Sequence, residues 1–333
     1  MQGIREVIGG LFAVLGGLGL FLVGMAIMTE GLRDLAGESL RRAIERFTTN
    51  PLTGAITGAV GTAVLQSSSA TTVMAVGFAG AGLMTFSQTL GIIFGANLGT
   101  TITGWLVALL GFKLSLSKIV MPLVFVGAMM RLLGSRRIRM LGYALAGFGL
   151  VFVGISVLQS AMQGLGDVLT PDSFPPNTWI GRFELLLIGI AITVVTQSSS
   201  AGVATAITAV HVGAITLPQA AALVIGMDVG TTFTAALASI GGGVDARRTG
   251  IAHVVYNLIT ALGAFVMLPL FIGGWESFAP AAVRMDPEIA LVAFHTFFNG
   301  LGVVLALPFT NQFAALIEKL VPSHESTLTR RLD

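Results

Sequence analysis

The tetrapeptide Gln66-Ser67-Ser68-Ser69 recurs as Gln197-Ser198-Ser199-Ser200, and both copies lie inside strongly apolar stretches. The similarity continues without a gap over residues 66–103 and 197–234, which are identical at 14 of 38 positions. The chain is therefore a tandem duplication in which each half carries one polar cluster among apolar residues. This pattern is typical of a secondary transporter whose binding site lies between two repeats.

The composition indicates an integral membrane protein. Hydrophobic residues make up 54% of the chain and charged residues only 10%, whereas a soluble domain carries roughly 25% charged residues. The chain has no cysteine, which excludes disulfides, thiolate metal sites and cysteine nucleophiles. The expected surroundings are a lipid bilayer, and no nucleic-acid partner is expected.

Continuous apolar runs predict membrane-spanning helices, because each is near the roughly 20 residues that a helix needs to cross a bilayer. These runs are 7–29, 114–133, 140–162, 250–272 and 289–309.

Each tetrapeptide interrupts a segment whose two arms are too short to cross. An arm of about 15 residues reaches only about 22 Å as a helix, against a hydrocarbon core of ~30 Å. We therefore expect a re-entrant helical hairpin over 51–84 and another over 183–214, with the tetrapeptides near their tips. In the next apolar runs, 86–111 and 216–240, two glycines bracket a polar residue. That spacing predicts a broken transmembrane helix in each repeat.

The distribution of basic residues predicts the topology. If hairpins do not cross and broken helices do, 13 of the 18 Lys and Arg residues share one side with the segment 30–50. That side is then cytoplasmic, with the N-terminus outside and the C-terminus inside. Each half contains three crossings, so the halves have inverted topology. The predicted segment 30–50 is an amphipathic linker that lies on the membrane surface, and 163–182 is an external loop.

The predicted fold is an all-α polytopic membrane protein with two inverted-topology repeats, each with a re-entrant helical hairpin and a broken transmembrane helix. Its predicted parts are repeat 1 (1–135), repeat 2 (136–272), an extra C-terminal span (273–310) and a cytoplasmic tail (311–333).

The two tetrapeptides together offer six hydroxyls and two amides. Hydroxyls donate to anions and also coordinate hard cations, and helix N-termini at re-entrant tips suit oxyanions. The two predicted hairpins contain no Lys or Arg. A bound anion therefore needs another positive partner, which co-bound sodium would supply. The competing interpretation is that these serines only assist helix packing. The candidate oxyanion-binding residues are Gln66, Ser67, Ser68, Ser69, Gln197, Ser198, Ser199 and Ser200.

The segments Gly95–Thr101 and Gly226–Thr232 provide carbonyls, hydroxyls and one amide or carboxylate each, a composition that suits Na⁺. Asp228 is the ionisable residue most clearly at mid-membrane, where such residues are costly and usually functional. For Asp228, a role as a cation ligand is favoured over a buried protonated carboxyl. For the two glycine-bracketed segments, the alternative to a sodium site is a simple kink in the helix. The candidate sodium ligands are Ser68, Ser199, Asn97, Thr100, Thr101, Asp228, Thr231 and Thr232.

Two His-x-x-Tyr/Phe-Asn elements, His253–Asn257 and His295–Asn299, place a histidine and an asparagine at i, i+4 on one helix face. Interhelical hydrogen bonding is favoured over contact with substrate. Asn257 and Asn299 are therefore expected to have a supporting role.

The doubled Gln-Ser-Ser-Ser, the Gly-x-Asn/Asp-x-Gly-Thr-Thr segments and the His-x-x-Tyr/Phe-Asn elements resemble the type II sodium–phosphate cotransporter family over roughly residues 10–310. The resemblance implies sodium-driven uptake of inorganic phosphate by alternating access, in the inner membrane of a bacterium, with Na⁺ as the co-transported ion. It also implies that substrate and sodium bind around Gln66–Ser69 and Gln197–Ser200. Asp228 departs from the family pattern, in which the equivalent position resembles the Asn of the first segment.

Many bacterial relatives carry a C-terminal helical domain similar to PhoU, which is expected to be absent or truncated here because the chain stops at Asp333. A homodimer is compatible with the sequence.

Three other functions compete with phosphate symport. A sodium symporter of sulfate or of a dicarboxylate would use the same donors. A passive channel is disfavoured by paired binding clusters. An intramembrane serine hydrolase is disfavoured because no His or Asp lies near either serine cluster in the sequence.

Overall fold

The computed structural model describes residues 2–114 and 117–323. Within these ranges the chain forms α-helices and no β-strand, which confirms the predicted all-α class. A π-helical segment, Val107–Lys113, continues α4, and short 3₁₀ turns lie at Pro171–Ser173 and Leu307–Phe309. The helices are α1 (Gln2–Phe47), α2 (Pro51–Leu65), α3 (Ser68–Gly80), α4 (Phe86–Leu106), α5 (Ser117–Leu133), α6 (Arg136–Gly164), α7 (Trp179–Thr196), α8 (Ser199–His211), α9 (Leu217–Ser239), α10 (Val244–Phe278), α11 (Pro280–Met285), α12 (Pro287–Ala306) and α13 (Thr310–Leu320).

Seven stretches of the described chain are long and apolar enough to cross a membrane: α1, α4 with its π-helical extension, α6, α7, α9, α10, and α12 continued through α13. The protein is therefore a multi-span membrane protein. The prediction differs at two helices. The predicted span 114–133 is the shorter helix α5, with Ile119–Leu133 as its apolar part, and α7 begins at Trp179, which lengthens this hairpin arm to 18 residues.

The predicted boundary between a first span and a surface linker at residue 30 is wrong. Helix α1 runs without interruption from Gln2 to Phe47. At 1.5 Å per residue its 46 residues extend about 69 Å, well beyond a ~30 Å hydrocarbon core. No proline interrupts it before Pro51, and the ion pairs Arg41–Glu45 (2.9 Å) and Glu38–Arg42 (3.3 Å) support its polar end.

The predicted helix–break–helix segments are present. Helices α2 and α3 are separated by Gln66 and Ser67, and helices α7 and α8 by Gln197 and Ser198. The first arm of each pair carries exposed apolar side chains, whereas the second arm is largely buried. Exposed apolar residues on α2 recur every four positions, which places them on one face of the helix: Leu52, Ile56, Val60 and Val64.

The predicted break in each long helix is wrong, because α4 and α9 are helical throughout residues 95–101 and 226–232. Their glycines serve close packing instead. A Cβ on Gly95 would collide with the backbone carbonyl of Ala55 in α2, and one on Gly226 with that of Leu186 in α7. Small residues spaced four apart allow two helix backbones to approach without unwinding either.

A second glycine contact joins the two halves along α1 and α6. Two similar segments, Gly17–Gly24 and Gly147–Gly154, pack against each other. Gly17 lies against the backbone of residue 158 and Gly24 against that of residue 151. The equivalent segments of the two halves therefore meet each other directly.

The glycine contact between α2 and α4 predicts the effect of a single methyl group. Gly95→Ala should destabilise the protein by about 1–3 kcal/mol, because the Ala55 carbonyl is backbone and cannot move aside alone. A lowered apparent melting temperature in detergent would measure this loss. Gly77→Ala is the matched control, since nothing lies within 4 Å of its Cβ position. An unchanged melting temperature for Gly95→Ala would contradict the packing role.

The inverted relation of the two halves stays a prediction, and cysteine labelling tests it. Single cysteines in place of Arg42 and Arg137 should react with a membrane-impermeant maleimide only from the cytoplasm. A cysteine in place of Asp172 should react only from outside. All three positions are exposed, and the native chain contributes no cysteine background. Reaction of all three from the same side would refute the topology.

Candidate functional site

The tip of each hairpin is a two-residue break with an unusual backbone. Gln66 and Gln197 both have φ of 53°, and within the described residues they are the non-glycine residues with positive φ. This left-handed conformation is costly for a side chain with a Cβ, and such residues cluster at functional sites. It ends the first arm of each hairpin and turns the chain into the second.

The first serine of each tetrapeptide caps the second arm. The Ser67 side-chain oxygen accepts the Ala70 N–H at 3.2 Å, and Ser198 accepts the Ala201 N–H at the same distance. Serine is a favoured residue at this position because its short side chain reaches the third N–H of the helix. Both second arms therefore begin at their tetrapeptide.

The remaining serines leave donors free at both tips. Within the described ranges, the side chains of Ser68, Ser69, Ser199 and Ser200 make no hydrogen bond to the protein. The first backbone N–H groups of a helix also have no partner inside it. Both tips line one cavity of about 490 Å³. The structure thus brings all eight candidate oxyanion-binding residues to the wall of a single cavity.

The two glutamines hold the tips to the long helices. The Gln66 side-chain carbonyl accepts a hydrogen bond from Thr103 of α4 at 3.0 Å, and Gln197 accepts one from Thr234 of α9 at 2.9 Å. Each glutamine NH₂ also donates to a carbonyl of the preceding arm at 2.6 Å. These amides are thus largely engaged with the protein, and the serines supply most of the free donors.

Helix α1 contributes charged residues that sequence reasoning missed. Glu30 and Arg33 line the same cavity, together with Thr29, which lies one turn before Arg33. Within the described residues neither Glu30 nor Arg33 forms an ion pair, and both are exposed. The spacing of the α1 residues in the sequence could have indicated this, because residues three or four positions apart lie on one face of a helix. The α1 residues that line the cavity have this spacing: Leu22, Met25, Ala26, Thr29, Glu30 and Arg33.

Asn97 lies in a buried polar cluster apart from this cavity. Its side-chain NH₂ donates to the Asn257 side-chain oxygen at 3.2 Å, and His253 Nε2 lies 3.4 Å from its Oδ1. These bonds join α4 to α10 and confirm the predicted interhelical hydrogen bonding of the first His-x-x-Tyr-Asn element.

Asp228 occupies the corresponding place in the second half. His295 Nε2 lies 3.0 Å from Asp228 Oδ1, and Asn299 Nδ2 donates to Asp228 Oδ2 at 2.7 Å. These contacts join α9 to α12, and Asp228 is only 7% exposed. His295 lies 67 positions from Asp228 along the chain, so the sequence alone gives no sign of this contact.

The four threonines predicted as sodium ligands also lie on α4 and α9, outside the lining of the cavity. Their hydroxyls donate to carbonyls three or four residues earlier in their own helix, at 2.8–3.1 Å. Their oxygen lone pairs remain available as acceptors. The threonines are Thr100, Thr101, Thr231 and Thr232.

A model of the Na⁺/Pi-cotransporter family matches residues 20–160 and 177–305, which contain both hairpins and both long helices. The chain belongs to the Na⁺/Pi-cotransporter family. The family is one of transporters, so this cotransporter homologue is not an enzyme.

Several relatives show how far the similarity extends. The Bacillus subtilis protein YqeW, described as uncharacterized, is 32% identical over 91% of this chain and 95% of its own length. The putative inorganic phosphate export protein YjbB of Salmonella typhimurium is 28% identical over 90% of this chain, which spans only 53% of that relative. Human sodium-dependent phosphate transport protein 2B is 33% identical over 53% of this chain and 26% of its own length. No solved structure gives a significant match.

In this Na⁺/Pi-cotransporter family member, Asp228→Asn tests the role of the buried carboxylate. The variant should fold, because Asn97 already occupies the equivalent place beside a histidine and an asparagine. If Asp228 is a sodium ligand, its loss should raise the Na⁺ concentration for half-maximal phosphate transport roughly 10-fold or more. Sodium titration of transport measures this effect.

Asp245→Asn is the control for that titration, since Asp245 pairs with Arg248 near the start of α10. A wild-type sodium titration in Asp228→Asn would show that Asp228 serves only to join α9 to α12.

Proposed function

We propose that the protein is a sodium-coupled transporter of inorganic phosphate, with the cavity between the two hairpin tips as its substrate site. The observation that carries this proposal is the shared lining, since the serines of both halves and Arg33 face the same cavity. Membership of the Na⁺/Pi-cotransporter family supports phosphate as the substrate.

The cavity has the donors that an oxyanion requires. Two helix N-termini direct free N–H groups and the positive ends of their dipoles at an anion. The free hydroxyls of Ser68, Ser69, Ser199 and Ser200 add further donors. The Arg33 guanidinium supplies a full positive charge and suits the oxygens of a phosphate. It gives the anion a positive partner in addition to the co-bound sodium that the sequence predicts.

Sodium has two candidate locations. Ser68 and Ser199 lie at the tips, where hydroxyl and carbonyl oxygens can coordinate a hard cation beside the bound anion. The second location is around Asp228, with Asn97 as its neutral counterpart in the first half. A cation at either place would offset part of the negative charge that phosphate brings with it.

Coupling follows from the arrangement of the halves. One tip comes from each repeat, so a change in their relative position opens the cavity to one side or the other. We propose that this is the alternating-access movement and that the halves are inverted, as their predicted topology implies. With sodium more concentrated outside the cell, the coupled direction is phosphate uptake.

Export is the second candidate, because relatives such as YjbB are named putative inorganic phosphate export proteins. The same cavity serves either direction, and the ion gradients decide between them. Another oxyanion, such as sulfate or a dicarboxylate, would use the same donors, and competition with phosphate distinguishes these substrates.

Flux measurements in proteoliposomes test the proposal. Radiolabelled phosphate should accumulate against its gradient when Na⁺ is higher outside, and should not when choline replaces Na⁺. Vesicles loaded with phosphate and Na⁺ should be measured for efflux in parallel. Phosphate movement that does not depend on Na⁺ in either direction would overturn sodium coupling.

The residues of the cavity are tested by variants in the same vesicles. Ser68→Ala, Ser199→Ala and Arg33→Gln should each raise the phosphate concentration for half-maximal flux roughly 10- to 150-fold, because a hydrogen bond to a charged ligand contributes about 1.5–3 kcal/mol. Ser277→Ala, an exposed serine at the end of α10, is the control. Wild-type kinetics in all three cavity variants would place the substrate elsewhere.

A further inference from the structure

Glu30 is a carboxylate in the wall of a cavity that otherwise suits an anion. It lies on α1 one turn before Arg33 and lines the same cavity as both serine clusters. Within the described residues it forms no ion pair, with Arg33 or with any other group. Its charge is therefore not cancelled by a protein partner.

A free carboxylate opposes anion binding unless the anion offers it a proton. An ionised carboxylate is only a hydrogen-bond acceptor. Facing another anionic acceptor, it repels that acceptor, and no hydrogen bond forms between the two groups. Facing a hydroxyl, it accepts a charge-assisted hydrogen bond, which is among the stronger kinds.

The common inorganic oxyanions differ in this respect. Near neutral pH, inorganic phosphate always carries at least one P–OH group, and arsenate has an equivalent As–OH group. Sulfate is fully ionised and carries no hydroxyl. The serines, the helix N-termini and Arg33 are donors, which bind the ionised oxygens of all three anions alike. A serine hydroxyl can donate to either kind of anion, so only an acceptor that cannot also donate, such as an ionised carboxylate, distinguishes a protonated oxyanion from an unprotonated one.

We propose that Glu30 is the specificity-determining residue that accepts the P–OH hydrogen bond of phosphate and thereby excludes sulfate. This inference rests on the proposed function, with the cavity as the substrate site. Arg33 and the tips provide affinity for an oxyanion, and Glu30 adds a repulsive element against the wrong one. Specificity of this kind combines an attractive contact with a built-in penalty, and sites that require a substrate hydroxyl reject its analogue strongly.

The test is competition during phosphate flux in proteoliposomes. In the wild type, arsenate should inhibit labelled phosphate uptake and sulfate should not. Glu30→Gln should lower the ratio of the inhibitory sulfate concentration to the inhibitory arsenate concentration roughly 10-fold or more, because the glutamine NH₂ can donate to sulfate. Glu30→Asp, which keeps the acceptor, should retain more of the discrimination. Glu38→Gln is the control, since Glu38 pairs with Arg42 on α1, outside the lining of the cavity.

Each outcome either supports or overturns the role of Glu30. Equal inhibition of the wild type by sulfate and arsenate overturns the proposal without need of any variant, even if Glu30→Gln fails to fold. An unchanged ratio in a folded Glu30→Gln overturns it while phosphate transport stands. Sodium titration of phosphate flux is measured on the same variant. A changed titration with an unchanged sulfate-to-arsenate ratio identifies Glu30 as a sodium ligand and also overturns the specificity proposal. A wild type that moves no phosphate refutes the proposed function itself.

Discussion

The two-residue break in each hairpin is the constraint on which the site depends. Backbone polar groups in hydrocarbon must be paired, so a helix start is tolerated at membrane depth only where protein, water or a ligand satisfies it. Ser67 and Ser198 pair one N–H at each tip, and the first N–H groups have no partner within their own helix. The left-handed glutamines produce this opening, and their bonds to Thr103 and Thr234 hold it against rigid helices.

The local repeat was sufficient to predict the two helix–break–helix segments, but it could not distinguish two roles for glycine. Glycines four residues apart, such as Gly95 and Gly99, suit an unwound helix and also suit a close contact between two intact helices. The sequence shows the spacing and does not show the neighbour. In the structure the carbonyl of Ala55 lies where a side chain would be, so α4 stays helical. The predicted break failed because the partner helix was unknown.

Long-range contacts account for the rest of what sequence reasoning missed. The doubled tetrapeptide was found because each copy is contiguous and the copies are alike. The partner of Asp228 was not found, since His295 lies on another helix. Arg33 was assigned to the membrane surface because α1 was expected to end near residue 29. Once α1 continues to Phe47, helical register alone brings Arg33 onto the face that already carries Met25 and Thr29.

The charges on α1 also make the two halves chemically unequal. The matching segments of α1 and α6 are offset by 130 positions, so Glu30 and Arg33 correspond to Ser160 and Gln163. Both tips offer an anion similar hydroxyls and helix N-termini, yet among residues 2–114 and 117–323 only α1 adds a full charge of either sign to the cavity. Charge–charge interactions fall with distance and with dielectric. An anion bound in this cavity, as we propose for phosphate, would therefore interact with Glu30 and Arg33 only while the cavity includes this face of α1. A movement that carries the tips away from α1 would lower affinity for the anion and release it.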